Sequence, residues 1–138
     1  MRSVRRLSTV LVGLAALAAA CTGNSSGRQA VSGKVTFEGK PLEKGQIEFY
    51  PVGKESNQAG ALIKDGTYAI AAAQGLSPGT YRVAISFMKG GLTAEEREAG
   101  KKPTRAVEQI PAKYNLKTEL TAEVEKGGAN KFDFNLTK

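Results

Sequence analysis

The run Thr80 to Phe87, TYRVAISF, places Tyr81, Val83, Ile85 and Phe87 at every second position, with Thr80, Arg82, Ala84 and Ser86 between them. Successive side chains of an extended strand point to opposite sides, so this run has one apolar face and one polar face only if it is a β-strand. The same period of two recurs along the chain from Val31 onward, and no long helical period is present. An all-β fold is therefore expected.

Val31, Gly33, Val35 and Phe37 alternate with Ser32, Lys34 and Thr36, and the following EGKPLEKG supplies turn residues. Ile47, Phe49 and Pro51 then alternate with Gln46, Glu48 and Tyr50, so the two segments read as an opening hairpin. Ala61 to Ile63 and Thr67 to Ile70 flank Asp65-Gly66, a strong hairpin signal. After the turn-like LSPG and the Thr80 to Phe87 run, two more strands are expected. One sets Leu120, Ala122 and Val124 against Thr121, Glu123 and Glu125; the other sets Phe132, Phe134 and Leu136 against Lys131, Asp133 and Asn135. Seven short antiparallel strands, each with one apolar face, predict a β-sandwich.

Met88 to Gln109 breaks the pattern and contains no strand signal. Thr93-Ala94-Glu95-Glu96 has the form of a capping box and Gly100 is a stop, which predicts a short helix over Ala94 to Ala99. Long connections of this kind are either solvated excursions or binding elements, and both readings stay open.

The first twenty residues differ in kind. Arg2, Arg5 and Arg6 precede Leu7 to Ala20, which has no charge, and then comes Cys21, the sole cysteine. This is the order of a secretory signal: charged, apolar, then small residues before the cut. A helix of that apolar length would reach about 21 Å, short of the roughly 30 Å hydrocarbon core, so a permanent spanning helix is not expected. Ala18, Ala19 and Ala20 before Cys21 resemble the lipobox of bacterial lipoproteins, although Ala18 stands where that motif usually has Leu. The resemblance implies cleavage between Ala20 and Cys21 and acylation of Cys21. An ordinary signal peptide cut near Ala20, leaving a free thiol, is the alternative. Thr22 to Ala30, rich in Gly, Ser and Asn, reads as a flexible tether before a domain over 31–138.

The formal charge of +7 falls to +4 without residues 1–20, which carry three Arg and no acid. The remaining cations are scattered among acids, which argues against nucleic acid as a partner. With no histidine the chain lacks the usual near-neutral base and the usual zinc ligand, and Asp65 and Asp133 are the only Asp available for a calcium site. Glu95, Glu96 and Glu98 sit on one short helix and point to different sides, so they complement its dipole rather than flank a substrate. No metal or cofactor is implied, and no enzymatic activity is expected.

KDGTYAI, LSPGTYRVAI, IPAKYN and FDFNL, in that order, resemble the carboxypeptidase-regulatory-like or transthyretin-like β-sandwich domains, especially those of short lipoproteins in planctomycete-type bacteria. The resemblance spans Val31 to Lys138 and implies an accessory module. The histidines and C-terminal signature of the transthyretin-like hydrolases are missing. The expectation is an exported, membrane-anchored structural or protein-interaction module of the cell envelope. The alternative is a binding module for envelope polysaccharide or peptide that uses residues 88–114. Alternation turns seven of the nine aromatics inward and leaves Tyr50 and Tyr114; with Arg97 and Arg105 they are the candidate contacts.

Overall fold

The computed structural model of the protein describes residues 27–54 and 57–138. The expected signal segment, the Ala20 and Cys21 cleavage and acylation site, and the first part of the tether lie outside the described residues.

The fold is all-β. Its strands are β1 (Val31–Phe37), β2 (Lys40–Pro41), β3 (Lys44–Pro51), β4 (Ala59–Lys64), β5 (Thr67–Ile70), β6 (Gly79–Ser86), β7 (Met88–Lys89), β8 (Val107–Glu108), β9 (Thr121–Val124) and β10 (Phe134–Leu136). Seven of them follow one another in a curled sheet of order β10-β1-β5-β4-β3-β6-β9, with β2 paired to β1 outside this path. Five of these seven are the segments the alternation picks out, because a strand that shows apolar residues at every second position must turn that side inward, and β4 and β5 are the two runs that flank Asp65-Gly66.

Pairing departs from the expectation in two places. β1 does not form a hairpin with β3; it pairs antiparallel with β5 through Val31↔Ile70 and with the short β2 through Phe37↔Lys40. Glu38 and Gly39, both at positive φ, close that small hairpin, so the turn chemistry after β1 is spent on β2. β1 also pairs parallel with β10, Val35 opposite Phe134, so the sheet is not wholly antiparallel. The Asp65-Gly66 hairpin forms as expected, with both residues at positive φ and Lys64 opposite Thr67.

The core holds Val31, Val35, Ile47, Phe49, Ile63, Tyr81, Val83, Ile85 and Leu136, none more than 1% exposed. Phe49 lies at its centre, between Tyr68 (centroids 6.1 Å apart) and Tyr81. That contact brings β3 and β5 together across β4, which is how the curl closes over a single core. Phe37, Phe87 and Phe132 pack against the rim of this cluster.

The registers also fix the two ends of the body. Gln29, which the sequence places in the tether, exchanges two backbone hydrogen bonds with Leu76, so the fold begins before Val31. That entry point shares its end of the sheet with Ile70 and, through Pro51↔Tyr81 and Gly79↔Val124, with the start of β6 and the end of β9. The turns at Glu38 and Asp65, the end of β6 and residues 88–109 lie at the opposite end.

Candidate functional site

The outward faces of β3 and β6 form the floor of an open groove of about 630 Å³. Glu48 and Tyr50 come from β3, and Arg82, Ala84 and Ser86 from β6, all on the polar side of the alternation. Register sets Tyr50 directly opposite Arg82, and Glu48 opposite Ala84. Met88 and Glu108, at the base of the 88–109 excursion, and Asn115, Leu116 and Thr118, on the segment returning to β9, complete its lining.

The excursion is better organised than its sequence suggests. The sequence of Met88 to Gln109 predicts no strand, yet β7 and β8 pair as Met88↔Glu108 and Lys89↔Val107. Two-residue strands are too short to leave a periodic signal, so only the closure of the loop reveals them. Glu108 ties the two ends together: its Oε1 accepts from the backbone N–H of Phe87 (2.8 Å) and of Ile110 (2.9 Å). Ile110, 2% exposed, anchors the exit in the core. Helix α1 (Ala94–Glu98) forms where expected, with Thr93 and Glu96 making a reciprocal capping box, but none of its residues is buried.

The returning segment is held by Asn115. Its Nδ2 donates to the Ile110 carbonyl (3.1 Å) and more weakly to that of Ile85 (3.4 Å), while its Oδ1 accepts from the Leu116 N–H (2.7 Å). Leu116 is thereby presented to water with 92% of its surface exposed. Thr118 Oγ1 donates to the Val83 carbonyl and fixes the next turn to β6. Met88 is also exposed, and so is Leu62, one strand beyond Gln46 on the same face. Exposed apolar side chains thus gather on and beside the groove.

Inside it, Tyr50 Oη donates to Glu48 Oε2 (2.6 Å) and Gln46 Nε2 donates to Glu48 Oε1 (3.2 Å). That bond to the carboxylate, with partial burial and the Glu48 charge, raises the Tyr50 hydroxyl above its ordinary pKa. Tyr50 is therefore a neutral donor to Glu48.

Of the four residues singled out from the sequence, Tyr50 lines the groove. Tyr114, next to Asn115, turns away: its Oη shares a hydrogen bond with Thr137 Oγ1 (3.3 Å) and accepts from the Thr137 N–H (3.1 Å), and these bonds, with the nearby Lys113 ammonium, lower its pKa. It pins the returning segment to the end of β10. Arg97 on α1 and Arg105 on the excursion do not line the groove. Sequence reasoning reaches Met88 and Glu108 only as part of the 88–114 stretch, and it misses Arg82, Asn115 and Leu116. Arg82 had one signal, a cation on the polar face of the best strand; Leu116 had only its place as a lone apolar residue between Asn115 and Lys117.

The chain matches no family model, no curated protein and no solved structure.

Proposed function

We propose that the protein is a non-enzymatic module of the bacterial cell envelope, held to the membrane by acylated Cys21 and acting by binding a partner through the β3–β6 groove. The body is read as a domain of the carboxypeptidase-regulatory-like or transthyretin-like kind, on the motifs KDGTYAI, LSPGTYRVAI, IPAKYN and FDFNL. The observation that carries the binding reading is the groove lining itself: the Leu116 side chain is almost wholly exposed, while its backbone N–H is bonded to Asn115, whose amide is tied in turn to the Ile85 and Ile110 carbonyls. A leucine exposed on a backbone held in this way adds nothing to the core and leaves apolar surface available for contact.

The direction of the chain supports the pairing of anchor and groove. A lipid on Cys21 fastens the end of the sheet where Gln29 enters, and the excursion bordering the groove lies at the other end. Two acyl chains give stable attachment where one gives marginal binding. The excursion is then presented away from the bilayer, and the groove runs from it back along β3 and β6 toward the anchored end.

Two measurements test this reading. Intact mass of the membrane-extracted protein should show a chain beginning at Cys21 with acyl groups, and Cys21→Ala should abolish them and change fractionation. A photo-crosslinker at Leu116 should give one discrete adduct in native envelopes, and the same group at Lys131 should not. An unacylated chain refutes the anchor; equal adducts at both positions refute the groove.

A further inference from the structure

We infer that Asn135 is an acceptor for an N-linked glycan, its side-chain amide taking an oligosaccharide from a polyprenyl diphosphate carrier outside the cytosol. This goes beyond the binding reading above and rests only on the export part of it.

Asp133-Phe134-Asn135-Leu136-Thr137 contains Asn-X-Thr with no proline between, and it adds an acid two places before the asparagine. Of the five asparagines, Asn24 and Asn135 have a hydroxyl residue two places on, and only Asn135 also has that acid. An amide nitrogen is a weak nucleophile, because its lone pair is shared with the carbonyl. A transferase must therefore grip the residues on either side to direct it, and a carboxylate before and a hydroxyl after are the handles that bacterial oligosaccharyltransferases use.

The fold displays all three groups together. Alternate residues of an extended chain point to the same side, and along β10 that side is outward: Asp133, Asn135 and Thr137 are exposed, while Phe134 and Leu136 between them are buried. Local bonds orient the groups and leave the reacting atom free. Asp133 Oδ1 accepts from the Lys34 N–H (2.8 Å), Asn135 Oδ1 accepts from Thr36 Oγ1 (2.7 Å), and Thr137 Oγ1 shares a bond with Tyr114 Oη (3.3 Å). Asn135 Nδ2 has no hydrogen-bond partner among the described residues.

Transfer forms a bond from Nδ2 to C1 of the sugar and breaks the bond from C1 to the diphosphate oxygen. Polyprenyl diphosphate leaves with the electron pair, and the amide gives up one proton to a base of the transferase. The bond from Thr36 to Oδ1 survives, since the carbonyl oxygen takes no part. β10 ends the sheet and pairs with β1 on one side only, so a glycan on this strand also hinders further strand addition at its open edge.

Peptide mapping by mass spectrometry, on the full chain purified from its native envelope, tests the assignment. The peptide holding Asn135 should carry a discrete glycan, and the peptide holding Asn24 should carry none. Asn135→Gln and Thr137→Val should abolish the glycan and Thr137→Ser should keep it. Asp133→Asn, which still offers an oxygen to the Lys34 N–H, should strip most of it. All three positions are exposed, and an unchanged unfolding midpoint checks that the variants fold. An unmodified Asn135 overturns the inference: with acylated Cys21 the export reading stands, and with an unacylated chain in the cytosol both fall. A glycan on Asn24 alone, or one on Asn135 that is indifferent to Thr137→Val, overturns it as well.

Discussion

The ring of Tyr81 on β6 meets that of Phe49 on β3 edge to face, with centroids 6.5 Å apart and planes at 78°. Both rings are fully buried, and the Tyr81 hydroxyl leaves the core to donate to the Ser77 carbonyl at 2.8 Å. One residue thus joins the packing of two strands to the turn that starts β6. Phe49→Ala should cost about 3 to 5 kcal/mol in denaturant unfolding, since the cavity lies where three aromatic rings meet. Tyr81→Phe keeps the ring and should cost about 1 kcal/mol, the order of one hydrogen bond.

Gly33 should tolerate nothing larger. A Cβ there would overlap the carbonyl oxygen of Phe132, while the Tyr68 hydroxyl donates to that same oxygen (2.8 Å). Backbone fills the space, so no rotamer change relieves the clash. Gly33→Ala should destabilise by about 3 kcal/mol or more. At Gly91 the space is open and only the positive φ opposes alanine, for a cost of about 1 kcal/mol. Thermal unfolding of the two variants side by side checks the difference.

The bonds from Phe87 and Ile110 to Glu108 predict a local effect. Glu108→Gln keeps an acceptor at Oε1 and should leave the excursion protected. Glu108→Ala leaves two partly buried N–H groups without a partner, at about 1 to 3 kcal/mol for such a loss. Hydrogen exchange should speed up at Phe87 and Ile110 in the alanine variant while the amides of β3 and β6 keep their protection.

Alkaline pH should unfold the protein through Tyr68. Burial, together with the negative charge of Asp133, raises this hydroxyl far above its ordinary pKa of 10.0. Between the unfolded and folded values the native state holds a proton that the unfolded state has lost. Stability is therefore complete below about pH 10 and falls as pH rises beyond it, by up to about 1.4 kcal/mol per pH unit. Tyr68→Phe should flatten this decline in urea unfolding series above pH 10, and an unchanged slope would refute the assignment.

What the sequence carries about this protein is local. Alternation in β1, β3, β6, β9 and β10 marks each strand and its inward face, because the period of the backbone reaches only to the next residue but one. Asp65-Gly66 specifies its hairpin, and Thr93 with Glu96 specifies the start of α1, for the same reason: both are contacts within a few residues. The choice of strand neighbours belongs to the tertiary structure. β1 takes β5 and, in parallel, β10 from the far end of the chain, and no property of Val31 to Phe37 alone distinguishes those partners from β3. The groove is decided at the same level, since Tyr50 and Arg82 come together through register and Met88 and Leu116 through the closure of long connections. Side-chain type and spacing set which surface is buried; only the folded arrangement of distant strands sets what the remaining surface brings together.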